Sequence, residues 1–411
     1  MLGALVLAAM ISVPKAERDA AFDKPPQNTL RDCGSEPLTL GECRLPPNLS
    51  AQDAQTRLAG KGIAWWREGD QFIVVAKRDT DQAFLCCAAR GRMDHIDGDL
   101  WALRLRIADL DHATIDVSVL PLPDTPAPVY RGPAAPPALA SVANLQGHLY
   151  AEVVNSHYLD SPRGVLIYTP PNFDRTKKYP VVYMADGSAR LHLPGFIEPL
   201  ILSGALPPMI LVAIWPGNSH KENEDLRSEE YLLGWSNGYS AFLKHESFLL
   251  KEVLPLVEQK YGASSDPNER IITGFSSGAA WAISMGLRHP DIFSTVIAQS
   301  LGWSGGKFAG NGTLGMALAH PGSFATLTQS NGSGEFESEL TNNSVTRFYL
   351  SAGTLEPVFY DATLKFADEA KTAGHTVRLE TTVSGHTQAI WTPLLVHGLQ
   401  WAFANRAPAK P

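Results

Sequence analysis

Residues 270–280, Arg270-Ile271-Ile272-Thr273-Gly274-Phe275-Ser276-Ser277-Gly278-Ala279-Ala280, run from a short apolar strand through Gly-x-Ser-x-Gly into the start of a helix. That order is what a nucleophile elbow requires. The turn is tight enough to hold Ser276 in strained backbone geometry, so positions 274 and 278 have to be almost free of side chain. The serine hydroxyl is lifted above the sheet edge, and the N–H of Ser277 lies at a helix N-terminus, where a developing oxyanion can be held. The chemistry implied is attack of a serine on an acyl carbonyl.

A serine alone is a weak nucleophile. It needs a base within hydrogen-bond reach and a carboxylate to orient that base. On this type of scaffold the chain order is serine, acid, histidine. Downstream histidines are His289, His320, His375, His386 and His397. His289 precedes Pro290 at the end of the elbow helix, on the wrong side of the sheet. His320 precedes Pro321 in a Gly- and Ser-rich stretch with no strand before it. His375 follows Gly374 at a helix end, and His397 falls within the last helix. His386 follows a strand at 377–383 through Ser384-Gly385, where an α/β sheet presents its catalytic loops. The preceding strand, 347–352, runs into Gly353-Thr354-Leu355-Glu356-Pro357, which makes Glu356 the acid. Asp361 is the rival, on a stretch predicted to be helical and turned away from the loop face. The second oxyanion donor is expected after the early strand 180–185, in Asp186-Gly187-Ser188, from the N–H of Gly187 or of Ser188. An ordinary Asp-Gly turn is the other explanation of that tripeptide.

These loops need an ordered sheet beneath them. Segments 164–168, 180–185, 209–215, 270–275, 294–299, 347–352 and 377–383 read as strands, several of them continuous apolar runs, as in strands buried on both faces of a mostly parallel sheet. Amphipathic stretches alternate with them. In 242–261, Phe242, Leu249, Val253, Leu256 and Val257 recur at helical spacing. The pattern predicts an open α/β sheet. Ahead of it the rhythm differs. Strand signals at 63–66, 71–76, 83–88, 100–107 and 115–120, with a short helix at 51–59, suggest a small β-sandwich. Residues 121–137 are dense in Pro and Ala and read as a linker. The domain expectation is therefore 1–16 as a signal peptide, 17–137 as a β-rich domain with its linker, and 138–411 as the catalytic domain.

The chain has 411 residues with 44% hydrophobic content, enough for two cores, and a net charge of −8 without basic runs, so nucleic acid is not an expected partner. Residues 1–16 form an apolar run too short to span a membrane. It reads as the h-region of a signal peptide, placing a mature protein without a membrane span in the periplasm or outside the cell. An apolar first helix, or a misplaced start codon, would give the same run. Cys33 and Cys43 bracket a short Gly- and Pro-containing loop that suits a disulfide in an exported protein. Cys86 and Cys87 are adjacent in a strand-like run and read as buried thiols. None of the four cysteines has zinc-site spacing, no Walker, His-Glu-x-x-His or dinucleotide motif is present, and the serine chemistry calls for no metal or cofactor.

The ordered set formed by Ser156 to Pro171 (Ser-x-x-Leu-x-x-x-Arg-x-x-x-x-Tyr-x-Pro-Pro), Tyr179 to Gly187, Arg227 to Tyr231, Gly274 to Gly278, Gln299-Ser300, Gly353 to Pro357, Gly385-His386 and Trp391 resembles the branch of the α/β hydrolases that includes esterase D, enterochelin esterases, feruloyl and acetyl-xylan esterases, and mycolyltransferases. The resemblance implies an α/β-hydrolase fold with Ser276, Glu356 and His386 as triad. The Gly-x-x-Glu-Pro acid, the Arg-x-x-Glu-Tyr segment and a small preceding β domain, with Trp65-Trp66 and Asp99-Leu100-Trp101, look most like enterochelin esterases, which hydrolyse cyclic catecholate siderophores. A feruloyl, acetyl or other acyl ester, free or linked to a saccharide, is the alternative substrate, and an acyltransferase of the same fold the alternative reaction. A binding protein on an inactive scaffold would not need all three triad types in order. Two contacts with substrate suggest themselves. Trp303 could stack on an aromatic acyl group or be a core tryptophan. Arg227 could bind an acidic group or pair within its own loop.

Overall fold

The computed structural model describes residues 30–121, 127–217, 226–232, 240–302 and 344–404. The leader at 1–16 and Trp303 lie outside the described residues.

The N-terminal half is a β-sandwich. One sheet has the order β1 (Glu42–Leu45), β7 (Leu100–Ile107), β3 (Gln71–Lys77), β2 (Ile63–Glu68), with β6 (Asp94–Asp97) also pairing with β7. The other runs β5 (Gly91–Arg92), β4 (Phe84–Cys87), β8 (Thr114–Leu120), β9 (Val129–Arg131). Alternate residues of both sheets meet in one core: Phe72 and Val74 of β3, Leu103 and Leu105 of β7, Leu85 of β4, and Ile115, Val117 and Val119 of β8. Helix α1 (Ala51–Leu58) is capped by a Ser50–Asp53 box and lays Ala54 and Leu58 on the outer face, against Val75 and Leu100.

Two readings of this half are corrected. Within the expected linker at 121–137, β9 pairs with β8 in register Ile115–Tyr130, so a segment that composition marks as a spacer supplies an edge strand. Cys86 and Cys87, read as buried thiols, are joined in a disulfide and half-buried. Both lie within β4, so the alternation expected of a strand does not hold at this pair. Cys33 and Cys43 are joined as well, with Cα atoms 5.0 Å apart.

The second half is an α/β-hydrolase sheet, ordered β10 (His148–Val154), β11 (Arg163–Thr169), β13 (Ile210–Ile214), β12 (Val181–Met184), β14 (Arg270–Ser276), β15 (Thr295–Leu301), β16 (Arg347–Gly353), β17 (Thr376–Thr382). From β13 to β17 all pairs are parallel, while β10 and β11 join antiparallel. The continuous apolar runs follow from burial on both faces. Val181 and Tyr183 of β12 join the core with Trp281, whereas Val182 and Met184 join the core with Leu395. The helices are α2 (Leu193–Leu202), α3 (Leu226–Tyr231), α4 (Ser240–Phe248), α5 (Leu254–Tyr261), α6 (Ser277–Arg288), α7 (Pro357–Thr372) and α8 (Gln388–Ala404). The amphipathic stretch 242–261 is one helical run that widens into a π turn at Leu249–Val253, just before Pro255, which has no N–H to return to the carbonyl four residues earlier. Because β14, β16 and β17 are parallel, their C-terminal ends deliver Ser276, Glu356 and His386 to one sheet edge.

Candidate active site

β14 ends in Ser276 at φ 56° and ψ −129°, and α6 begins at the next residue. A serine at positive φ is strained, and its neighbours have to allow it. A Cβ at Gly274 would come within 2.1 Å of the Gly278 carbonyl oxygen, and a Cβ at Gly278 within 2.9 Å of both Ala185 Cβ and an Asp186 carboxylate oxygen. The two glycines therefore permit the elbow and bring its helix against the 185–187 loop.

Glu356 is the N-cap residue of α7, with Pro357 at the first helical position, where its missing N–H costs nothing. Its carboxylate is 1% exposed and fully engaged. Oε2 lies 2.7 Å from His386 Nδ1, while Oε1 accepts from the Gly353 N–H at 2.7 Å and from Ser300 Oγ at 2.6 Å. A carboxylate accepts only, so Nδ1 carries the proton and Nε2 of neutral His386 keeps its lone pair. Burial pushes the His386 pKa below its ordinary value. The Glu356 hydrogen bond and charge oppose that shift, and the Arg90 and Arg227 charges add to it. Asp361, the rival acid, is exposed on α7.

Packing ties the histidine to the elbow. The His386 ring stacks on Phe359 at 4.0 Å and meets Trp391 edge-on at 4.7 Å. Trp391 in turn stacks on Phe275, the residue before Ser276, at 4.1 Å and 8°. Gly302 N–H donates to the Ser276 carbonyl at 3.3 Å, and a Cβ on Gly302 would come within 3.4 Å of Phe359. Phe359 and Trp391 thus touch both the imidazole and the surroundings of the serine.

Ser300 is a member of the site that residue-type reasoning passes over. At φ 49°, it accepts from Trp391 Nε1 at 2.8 Å and donates to Glu356. Gln299 Nε2 donates to the Trp391 carbonyl at 2.7 Å. The only advance signal was the pair Gln299-Ser300 at a strand end.

On the opposite side, Asp186 has φ 59° and Gly187 opens a short 3-10 turn, Gly187–Arg190. A Cβ at Gly187 would press to 2.8 Å on the Ile214 backbone and on Trp215, so the glycine is needed for this close approach. The Asp186 N–H donates to Tyr231 Oη at 3.0 Å. Its carboxylate takes two bonds from Arg227, at 2.6 and 2.9 Å. Arg227 also donates to the Phe275 carbonyl at 3.5 Å. These bonds of Arg227 hold the 186–187 loop against the elbow. Ser277 is buried at the first position of α6, facing the same loop through Gly278. The structure therefore gathers Ser276, His386, Glu356, Gly187, Ser277 and Arg227 at one edge of the sheet.

Among the described residues no helix is long and apolar enough to cross a membrane. A family model described as "Putative esterase" matches residues 156–402. The enterobactin esterase FES from Shigella flexneri, solved in the presence of enterobactin, superposes with a TM-score of 0.62 at 16% identity, covering 85% of this chain and 98% of that one. Ferric enterobactin esterase from Salmonella typhimurium gives 0.63 at 17% identity, with the same coverages. A curated relative, the uncharacterized protein YjcH of Bacillus subtilis (strain 168), is 24% identical over 148 residues, which is 35% of this chain and 58% of the relative's length. The family match takes in well over half of the chain, from the segment ahead of β11 to the end of α8, and on that ground the chain belongs to the esterase family of the α/β hydrolases.

Proposed function

We propose that the protein is a serine carboxylic-ester hydrolase that works through an acyl-enzyme. Ser276 Oγ attacks the ester carbonyl while His386 Nε2 takes its proton. The tetrahedral oxyanion is held by the N–H groups of Ser277 and Gly187. His386 then returns the proton to the leaving alcohol, and a water repeats the sequence to release the acid. Glu356 holds the imidazole in the required tautomer and stabilises the imidazolium. The observation that carries this proposal is the 2.7 Å bond between Glu356 and His386, on loops that open at the same sheet edge as the strained Ser276.

For the substrate we propose a cyclic catecholate ester. The support is architectural. The enterobactin esterases align over 85% of this chain, more than residues 138–411 alone provide, so the likeness takes in part of the β-sandwich as well as the hydrolase. We also take the protein as exported, with 17–137 and 138–411 as its two domains. The Cys33–Cys43 and Cys86–Cys87 disulfides suit an oxidising compartment.

The test is turnover on a catecholate triester beside feruloyl and acetyl esters, with and without an added alcohol acceptor. Ser276→Ala should lower turnover on the order of a millionfold and abolish fluorophosphonate labelling. A Ser276→Ala enzyme that still turns over would remove the nucleophile. A preference for feruloyl or acetyl esters would replace the catecholate assignment, and transfer to the added alcohol in place of hydrolysis would make the protein an acyltransferase.

A further inference from the structure

Both loops that carry the acid and the base are built into the β-sandwich. Leu355, beside Glu356, and Val383, at the start of the His386 loop, are buried in the sandwich core with residues of β3, β7 and β8, not in the cores of the hydrolase sheet. Thr114 N–H of β8 donates to the Val383 carbonyl at 2.9 Å, and Ser384 Oγ donates to the Thr114 carbonyl at 2.5 Å. Just after β4, the Ala88 carbonyl lies so close to Gly385 that a Cβ there would stand 2.0 Å from it. The base loop bonds to the acid loop through Leu355 N–H to the Ser384 carbonyl at 2.8 Å. Its other anchors named above come from the sandwich.

Two sandwich side chains reach furthest. The Asp116 carboxylate accepts the Ala88 N–H at 3.1 Å, and the side chain of Thr387, the residue after His386, acts on it in favour of its charged form. One group therefore holds the segment whose Ala88 carbonyl packs on Gly385, next to His386. Arg90 is held by its own N–H on Glu42 at 3.2 Å and by Nε on the Cys87 carbonyl at 3.1 Å. Its charge interacts with Glu356 most strongly, then with Glu42 and Asp116. The charged groups that act on His386 are Glu356 from the loop before α7, Arg90 from the sandwich and Arg227 from α3. A guanidinium anchored in the β-sandwich thus adds its charge to the surroundings of the acid–base pair.

We propose that Asp116 and Arg90 are positioning residues for the His386–Glu356 pair, which makes the β-sandwich part of the working site. Asp116 fixes where the imidazole stands. Arg90, anchored in the same 86–90 segment that packs on Gly385, brings a positive charge to the surroundings of that pair. This rests on Ser276, His386 and Glu356 being the triad.

The experiment uses the full chain and p-nitrophenyl acetate, a small neutral ester with no anionic group for Arg90 to bind. Asp116→Asn should lower kcat about tenfold with KM within about twofold, since the binding surface is untouched while the base is misplaced. Arg90→Gln should move the acid limb of kcat/KM upward by about half a pH unit or more, because a positive charge near the imidazolium is gone. Arg90→Lys should return the limb towards wild type, which a purely structural role of the arginine would not do. Thermal melts check folding, and if Asp116→Asn yields no folded protein the two Arg90 variants decide alone. An acid limb that does not move in Arg90→Gln overturns the proposal, as does Asp116→Asn turnover equal to wild type. If Ser276→Ala is inactive while these variants behave as wild type, the triad stands and only the positioning role falls. An active Ser276→Ala enzyme would instead remove the triad itself.

Discussion

Glu356 gives His386 Nδ1 one carboxylate oxygen at 2.7 Å and has already committed the other to Gly353 and Ser300. The acid cannot rotate away from the histidine without leaving two buried donors unpaired, so the orientation of the imidazole is set from the backbone of the acid loop. Replacing Glu356 with Gln keeps the shape but offers an amide that can donate to Nδ1 and favour the wrong tautomer. We expect kcat to fall on the order of 10³- to 10⁴-fold with the fold intact. Asp361→Asn should change turnover little, because that carboxylate is exposed on α7. Parallel kcat measurements with thermal melts decide, and near-normal turnover in Glu356→Gln would remove the acid from the triad.

Ser300 sits between Trp391 and Glu356, accepting from one and donating to the other. Ser300→Ala leaves the indole N–H without its acceptor and the carboxylate with one donor fewer. A hydrogen bond to a buried charged group contributes about 1.5–3 kcal/mol, and the variant should lose stability of that order together with a drop in kcat. Denaturant titration beside kinetics reads both. Loss of neither would mean that water takes over both bonds.

What could be read ahead of the structure was local in sequence. The elbow announces itself within eleven residues, through an apolar strand, two glycines forced by crowding and a helix start. The strand end that carries Glu356 follows from a run buried on both faces, and the strand ahead of His386 from Val377 and Leu379, which alternate with exposed residues on β17. β10 escaped notice because it is an edge strand with His148, Ala151 and Val153 exposed, so its apolar content is thin. β9 was hidden by the prolines around it. The clamp on His386 could not be read at all. It depends on meetings between residues far apart in the chain: Ser300 with Trp391, Phe359 with His386, and Asp116 with the loop beyond β17. Arg227 shows the same limit. Residue type allowed a substrate contact or an ion pair, and only the position of Asp186, 41 residues earlier, shows that its bonds run to the loop.

The acid limb of kcat/KM should report His386. Burial, together with the nearby Arg90 and Arg227 charges, holds its pKa below the ordinary histidine value despite the Glu356 bond. The base has to be neutral to accept the serine proton, so activity is lost only as the pH falls through this lowered value. The limb should therefore lie below about pH 6.5, the unperturbed histidine value. A pH series of kcat/KM measures it, and a limb above pH 7 would contradict the environment described here.

Glu42 carries the opposite shift. Burial pushes its carboxyl up to about 8, with the Arg90 N–H and charge only partly offsetting it, and Oε2 has no hydrogen-bond partner. In the unfolded chain the same group titrates near 4.5. Below the unfolded value the carboxyl is neutral in both states and folding incurs no penalty from it. As the pH rises from there through about 8, the unfolded chain gives up its proton readily while the folded protein resists, so stability declines across that window. Above it the charged carboxylate stays buried and the loss is complete. Glu42→Gln keeps an oxygen to accept from Arg90 and has no charge to bury. Its melting temperature should match wild type near pH 4.5 and exceed it increasingly towards pH 8.5, by a few degrees. Paired melts at the two pH values test this. Equal melting temperatures at pH 8.5 would mean that the Arg90 guanidinium compensates the Glu42 charge in full.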